Sequence, residues 1–323
     1  MRLITYEDFI DVYLKFKQRG VLFILSKFNL ISNKRTASAF NESSENTSNW
    51  WDIPYVVKRW NVLISGDENI DKTEYLFKEL LKGRNNLRLL SLGSGACEYE
   101  MSLSEYSCFS KITCVDLAKN RIETAKKIAK AKDICNMEFI CRSIYDLEFK
   151  NDNFDIVLFN SSLHHFKPVE ELIKTKVVSY LKSDGYLVIN EYVGPNRMQY
   201  PKKQIEIINK GLKLIDKEYR VLFGTSLLKK KYYGSGIIRM IIADPSECIE
   251  SVKIIPAIHE AFDVVVERPY GGNILAPVLK DIAYNFLDLD ENKIDNLERL
   301  FKFEDEYLKS NKSDFVFGVY KMK

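Results

Sequence analysis

Histidine occurs only three times in this 323-residue chain, and none of its six cysteines forms a Cys-x-x-Cys pair. A structural zinc site needs thiolates and imidazoles clustered at short spacing, so no metal site is expected. The cysteines read instead as buried reduced thiols, which fits a cytoplasmic protein. No stretch approaches the ~20 apolar residues that a bilayer-spanning helix requires. The run GVLFILSKFNLI (20–31) is broken by Lys27. The start, MRLITYEDFIDV, carries acids where an export signal would carry basic and then apolar residues, and it reads as an amphipathic helix. Neither sign of charge dominates, with 48 basic and 45 acidic residues, so no nucleic-acid partner is expected. No Gly-Lys-Ser/Thr follows any glycine loop, which excludes a P-loop and phosphoryl transfer on it. No Asn/Asp-Pro-Pro-Tyr/Phe is present, which argues against planar amide or adenine acceptors. Internal repeats and low-complexity tracts are also missing.

What is present changes character along the chain. Residues 1–85 read as a helical arm around a polar break, NKRTASAFNESSENTSN (33–49), followed by the tryptophan-rich NWWDIPYVVKRWN (49–61). From residue 86 short apolar runs alternate with helical patterns: LRLLSL (87–92), KITCVDL (111–117), MEFICRS (137–143), FDIVLFNSS (154–162) and DGYLVINEY (184–192). Such alternation predicts a parallel sheet covered by helices on both faces. Two late runs, FDVVVERPY (262–270) and FVFGVYKM (315–322), read as further strands. Helices are expected over 99–107, 121–133, 169–181, 200–215 and 245–262, the last opened by Pro245 and Ser246. LLKKKYYG (227–234) reads as a solvated loop end.

The stretch RLLSLGSGACEYE (88–100) is a strand running into a glycine turn and a helix. That arrangement turns backbone N–H groups toward a ligand, and Gly93 and Gly95 let it come close. A dinucleotide fingerprint would place a third glycine where Glu98 stands, and a carboxylate suits a pyrophosphate poorly. About 23 residues after Gly93, Asp116 ends the second strand, where an acid can accept hydrogen bonds from both ribose hydroxyls. Asp116 alone could equally cap the next helix. Loop and acid on adjacent strands together point to a nucleoside ligand.

With these residues the sequence resembles the class I S-adenosylmethionine-dependent methyltransferases. The likeness runs through LLSLGSGACEYE, ITCVDLAKNRIETAKKIA, MEFICRSIYDLEF, FDIVLFNSSLHHF and LKSDGYLVINEY, roughly residues 86–192. A bacterial subgroup is also resembled in NEYVGPNRMQYP (190–201), ADPSECIES (243–251) and RPYGGN (268–273). The resemblance implies a doubly wound, mostly parallel, seven-stranded Rossmann-like α/β sheet. The implied organisation is an N-terminal arm or lid (1–85), a cofactor-binding core (86–192), an insert shaping the acceptor pocket (193–243) and a C-terminal segment completing the sheet (244–323). The implied cofactor is S-adenosylmethionine, leaving as S-adenosylhomocysteine. Gly93, Ser94 and Gly95 would face its methionine part, Asp116 the ribose, Leu117, Ser143 and Ile144 the adenine, and Asn160 and Ser161 the floor near sulfur. Three departures stand out. Ser91 replaces an acid common in the first strand, Cys97 replaces the usual third glycine, and Ser143 replaces an adenine-binding aspartate.

Methyl transfer is a direct displacement, so the protein must align an acceptor and, for a hydroxyl, take its proton. His165 is the favoured base, with His164 and Glu191 as alternatives, because imidazole suits proton transfer near neutrality. Adjacent residues point different ways, so one histidine is expected to pack. Tyr192, Arg197 and Trp51 are expected to contact the acceptor. The expected activity is methylation of an oxygen on a small metabolite or glycan intermediate. N-methylation, NAD-dependent oxidation and an inactive cofactor-binding module remain alternatives, and the oligomeric state is open.

Overall fold

The computed structural model describes residues 1–26, 49–149 and 153–323. The polar break at 33–48 lies outside the described residues. Helix α1 (Tyr6–Ser26) and helix α2 (Pro54–Ser65) come first; α2 starts with proline and stops at Gly66, whose φ of 90° is a left-handed cap. Strand β1 (Leu87–Leu92), helix α3 (Glu98–Leu103), β2 (Phe109–Asp116), helix α4 (Lys119–Ala131), β3 (Met137–Cys141) and β4 (Phe154–Asn160) then alternate. A helical run over Val169–Glu171, Leu172–Val177 and Val178–Tyr180 leads into β5 (Leu181–Tyr192). Beyond it lie α5 (Lys202–Leu212), α6 (Ile237–Ala243), α7 (Ile254–Ala261), β6 (Phe262–Gly271), α8 (Glu291–Leu308) and β7 (Phe315–Met322).

The strands form one sheet in the order β3-β2-β1-β4-β5-β7-β6, with β7 antiparallel to both neighbours. Strand order reverses between β1 and β4, and such a switch point opens a crevice at the carboxyl ends of the strands. Alternate residues of the central strands feed opposite faces. Leu90, Leu92, Val157 and Phe159 join one apolar cluster, and Leu87, Leu89, Ile156 and Leu158 join the other.

A third apolar cluster draws on α1, α2, α5 and α8 through Leu14, Val56, Ile208, Leu212, Leu297 and Leu300. Hydrogen bonds bind the arm to the segment after β5: Arg2 Nη1 donates to the Tyr200 carbonyl at 2.8 Å, and the Gly236 N–H donates to Asp8 at 2.8 Å. The residues after β5 therefore share a core with the N-terminal arm. Among the described residues, no helix is long and apolar enough to cross a membrane.

Several local expectations change. Residues 245–253 are turns with a short 3-10 turn at Ser251–Lys253, not helix, because the Asp244 carboxylate accepts from the Ser246 N–H (2.8 Å) and Cys248 takes a φ of 46°. LLKKKYYG is not wholly solvated: Lys229 is buried and donates to the carbonyls of Pro277, Val278 and Lys280. Cys97, Cys114 and Cys248 are buried thiols, but Cys135 and Cys141 are exposed.

Candidate active site

A cleft of about 1010 Å³ opens at the carboxyl ends of β1 to β4. One wall is made by the loop after β1. Gly93 has a φ of +74°, and a Cβ there would stand 2.7 Å from the Ser162 Cβ. This glycine is thus required by the close approach of the loop after β4. Cys97, at the expected third-glycine position, sits at φ 57° and begins α3. A left-handed backbone there explains why glycine suits the position, and here a buried thiol takes it.

Asp116 ends β2 at the cleft. Its two carboxylate oxygens accept from the Gly95 N–H at 2.8 Å and the Ala118 N–H at 2.7 Å. Each oxygen accepts one bond, so acceptor capacity remains toward the cleft. The glycine loop and the acid are thereby locked to each other. Ser94, Leu117, Ser143, Ile144, Asn160 and Ser161 also line the cleft. Ser143 accepts from the Tyr145 N–H at 3.3 Å and caps a short turn. The Asn190 side-chain amide donates to Asn160 Oδ1 at 2.9 Å, and the Tyr270 hydroxyl donates to Asn190 Oδ1 at 2.8 Å. This chain orients the Asn160 amide from behind.

The sequence reading missed Glu100. Ser91 donates to its carboxyl at 2.6 Å. Burial pushes the Glu100 carboxyl up to about 7, against the hydrogen bonds from Ser91 and the backbone. An acid therefore does reach the place beside Ser91, but from α3. No signal in the sequence separates Glu100 from an ordinary helix-surface acid. Arg121 also lines the cleft, beside Gly95.

The second wall joins distant segments: His165 and Phe166 after β4, Arg197 after β5, and Ile241, Pro245, Ser246 and Ile249. Arg197 donates to the carbonyls of Glu247 (2.9 Å) and Pro245 (2.6 Å) and so pins this segment to the cleft. His165 faces the cleft with Nδ1 3.1 Å from the Ser246 hydroxyl. Burial first, and then the neighbouring His164, pushes the His165 imidazolium down to about 3. His165 is therefore a neutral imidazole at neutral pH.

Other expected residues lie elsewhere. Glu191 is fully buried, with Oε1 accepting from the N–H groups of Ser162 (2.5 Å) and Leu163 (2.6 Å) and Oε2 2.7 Å from His164 Nδ1. Burial opposes protonation of His164, but the Glu191 carboxylate overrides it and raises its pKa. Neither Glu191 nor His164 lines the cleft. Tyr192 is buried, its hydroxyl donating to the Pro195 carbonyl at 3.0 Å. Trp51 is 50% exposed and does not line the cleft. Among the described residues, nothing from 1–85 does.

His164 Nε2 and His165 Nε2 lie 3.8 and 4.0 Å from oxygens of Glu247. Ligand atoms around a metal held at ~2.1 Å sit closer together than this, roughly 3.0–3.5 Å apart. A separate cluster of carboxylates, Glu7, Asp11 and Asp281, already faces the ammonium of Lys280.

Comparison with known proteins agrees with this geometry. A methyltransferase-domain family profile matches residues 84–236. Residues 84–236 therefore carry a methyltransferase domain. It is 30% identical over 108 residues to the uncharacterized methyltransferase YcgJ of Bacillus subtilis (strain 168), covering 33% of this chain and 42% of that protein. It is 35% identical over 74 residues to a release factor glutamine methyltransferase of Francisella tularensis, covering 23% of this chain and 26% of that protein. The chain thus spans less than half the length of either relative. Among solved structures, geranyl diphosphate C-methyltransferase from Streptomyces coelicolor A3(2) shares the fold with a TM-score of 0.51 at 11% identity, over 90% of this chain and 98% of that one.

The residues present fit the cofactor of this methyltransferase domain. Asp116 keeps acceptor capacity for vicinal hydroxyls, the glycine loop leaves room beside it, and Glu100 adds a buried carboxyl on the same wall.

Proposed function

We propose that this chain methylates an oxygen of a small metabolite or glycan intermediate. The observation that carries the reading is the single cleft in which Asp116 and the glycine loop stand on one side and the neutral imidazole of His165 on the other. S-adenosylmethionine, when bound, supplies an electrophilic methyl group on a cationic sulfur. Asp116 would accept hydrogen bonds from the ribose hydroxyls, with Leu117, Ser143 and Ile144 along the adenine. Gly93, Ser94 and Gly95 would border the methionine part. Asn160 and Ser161 would form the floor. His165 would hold the acceptor hydroxyl and take its proton as the methyl group is transferred; with its imidazolium held down to about 3 it is a weak base, so its help falls short of the ~10²–10⁴-fold that a base matched to the working pH supplies. Glu191 and His164 form the buried support beneath it. Arg197 would meet polar groups of the acceptor, while Tyr192 and Trp51 lie outside the cleft.

Calorimetry tests the cofactor half. S-adenosylhomocysteine should bind and NAD should not. Asp116→Ala should weaken S-adenosylhomocysteine by roughly 1.5–3 kcal/mol, the range for hydrogen bonds to a charged group. Normal binding by a folded Asp116→Ala protein would reduce this residue to a helix cap. Screening hydroxylated and amine-bearing acceptors for S-adenosylhomocysteine release tests the other half. Turnover on amines alone would overturn the oxygen reading.

A further inference from the structure

The ADPSECIES segment has no part in the cofactor wall, yet its turn presents Asp244, Ser246 and Glu247 to the two histidines. Ser246 Oγ lies 2.6 Å from Asp244 Oδ1, and the Ser246 N–H donates to that same oxygen at 2.8 Å. A carboxylate only accepts, so the Ser246 hydroxyl hydrogen points at Asp244. The serine oxygen is then left with lone pairs for His165 Nδ1, 3.1 Å away. Only a protonated Nδ1 can donate there, and in a neutral imidazole that leaves the lone pair on Nε2.

We propose that Ser246 and Asp244 are positioning residues that fix His165 as its Nδ1–H tautomer, with Nε2 as the proton acceptor for the substrate hydroxyl. The proposal rests on the cleft being the acceptor site. His164 provides the contrast on the same turn. Its Nδ1 meets the Glu191 carboxylate directly, and it lies outside the cleft lining. The two adjacent imidazoles are thus held by two different carboxylates, one directly and one through a hydroxyl. Asp244 Oδ2, 3.6 Å from His165 Nδ1, and Glu247, 4.0 Å from Nε2, would balance the imidazolium that forms. In the step, the acceptor O–H bond breaks and its proton goes to Nε2. The O–CH₃ bond forms while the methyl–sulfur bond breaks, and that electron pair stays on sulfur. The arrangement favours hydroxylated acceptors over amines, because a neutral amine can attack before it loses a proton.

Long-range imidazole ¹H–¹⁵N spectra of the full chain with S-adenosylhomocysteine, at pH 7.5, test this directly. Three histidines make assignment simple, using His164→Gln and His259→Gln. His165 should show a protonated Nδ1 and a bare Nε2. Ser246→Ala should shift it toward the other tautomer, and Ser246→Thr, which keeps the hydroxyl, should restore it. Once an acceptor is found, Ser246→Ala should lower kcat at least tenfold with KM little changed. An Nε2–H tautomer in the wild type, or an unchanged pattern in a folded Ser246→Ala, overturns the proposal. The spectra and the calorimetry fail separately. Nε2–H with normal S-adenosylhomocysteine binding sinks only the positioning role. Nδ1–H in a protein that binds no S-adenosylhomocysteine sinks the methyltransferase reading and the role together.

Discussion

The two walls of the cleft are built in opposite ways. The cofactor wall comes from consecutive strand ends, and its groups lock to each other over short sequence distances. The Gly95 N–H donates to the Asp116 carboxylate, and the Ser91 hydroxyl donates to the Glu100 carboxyl. The acceptor wall draws Arg197, Ile241, Ser246 and Ile249 onto His165 from a segment that shares its core with the N-terminal arm. The difference has a physical reason. A nucleoside is read by backbone placed at strand ends, which the sheet itself fixes. An acceptor is read by side chains, which any segment long enough to reach the cleft can supply. The walls meet where Gly93 comes close to Ser162, and again where the Tyr145 hydroxyl donates to the Lys167 carbonyl at 2.8 Å.

Breaking the Gly93 junction should have the largest effect. Gly93→Ala puts a Cβ 2.7 Å from the Ser162 Cβ at a φ of +74°. Strain and overlap act together, and the Ser162 hydroxyl, which donates to the Leu92 carbonyl at 2.7 Å, has no easy retreat. A loss of at least ~2–3 kcal/mol in urea unfolding is expected, together with loss of S-adenosylhomocysteine binding. Ser246→Ala, on the acceptor wall alone, should change stability by less than about 1.5 kcal/mol. Equal losses in the two variants would mean that the walls do not differ in this way.

Glu100 sharpens the comparison through pH. Its carboxyl is raised from 4.5 to about 7 by burial. Between those values the folded chain holds a proton that the unfolded chain has released. Stability from this group is therefore complete below about pH 4.5 and is lost as pH rises toward 7. Asp314, also raised to about 7 by burial, acts in the same direction. Glu100→Gln should remove its share of the slope and gain roughly 1–3 kcal/mol at pH 8, read from urea midpoints at pH 5 and 8. An unchanged slope would mean that Glu100 is ionised without cost, as a solvated carboxylate would be.

The five parallel strands were legible because each is a short apolar run ended by a glycine turn or a polar residue, the pattern that a buried parallel sheet demands, and the antiparallel β6 and β7 were legible as late runs rich in valine and aromatic residues. Asp116 and the glycine loop were legible because their chemistry is local. Helix α8 was not read, although Asp290 accepts from the Lys293 N–H at 2.9 Å as its cap. Its sequence, ENKIDNLERLFKFEDEYL, is mostly charged outside a narrow apolar stripe. The 245–262 helix was overread, because Pro245 and Ser246 resemble a helix start while Asp244 folds them into a turn. Ser246 could not be paired with His165 from sequence, since 81 residues separate them and only the fold closes that distance.

The smallest effect is expected at Cys97, which tests whether the cofactor wall needs a glycine where it lacks one. Cys97 holds a φ of 57° at the start of α3 while its side chain is fully buried. Two terms oppose each other in Cys97→Gly. Relief of the left-handed backbone should gain about 1–2 kcal/mol. Loss of a small buried side chain and a more flexible unfolded chain should cost a similar amount. The net change in unfolding free energy should lie within about 1 kcal/mol of zero, with S-adenosylhomocysteine affinity changed less than threefold. Cys97→Ala keeps the backbone strain but removes the sulfur, so it should be the less stable of the two. If alanine proves more stable than glycine, the left-handed residue is not strained. The thiol would then owe its place to packing against the neighbouring sheet and not to tolerance of the loop.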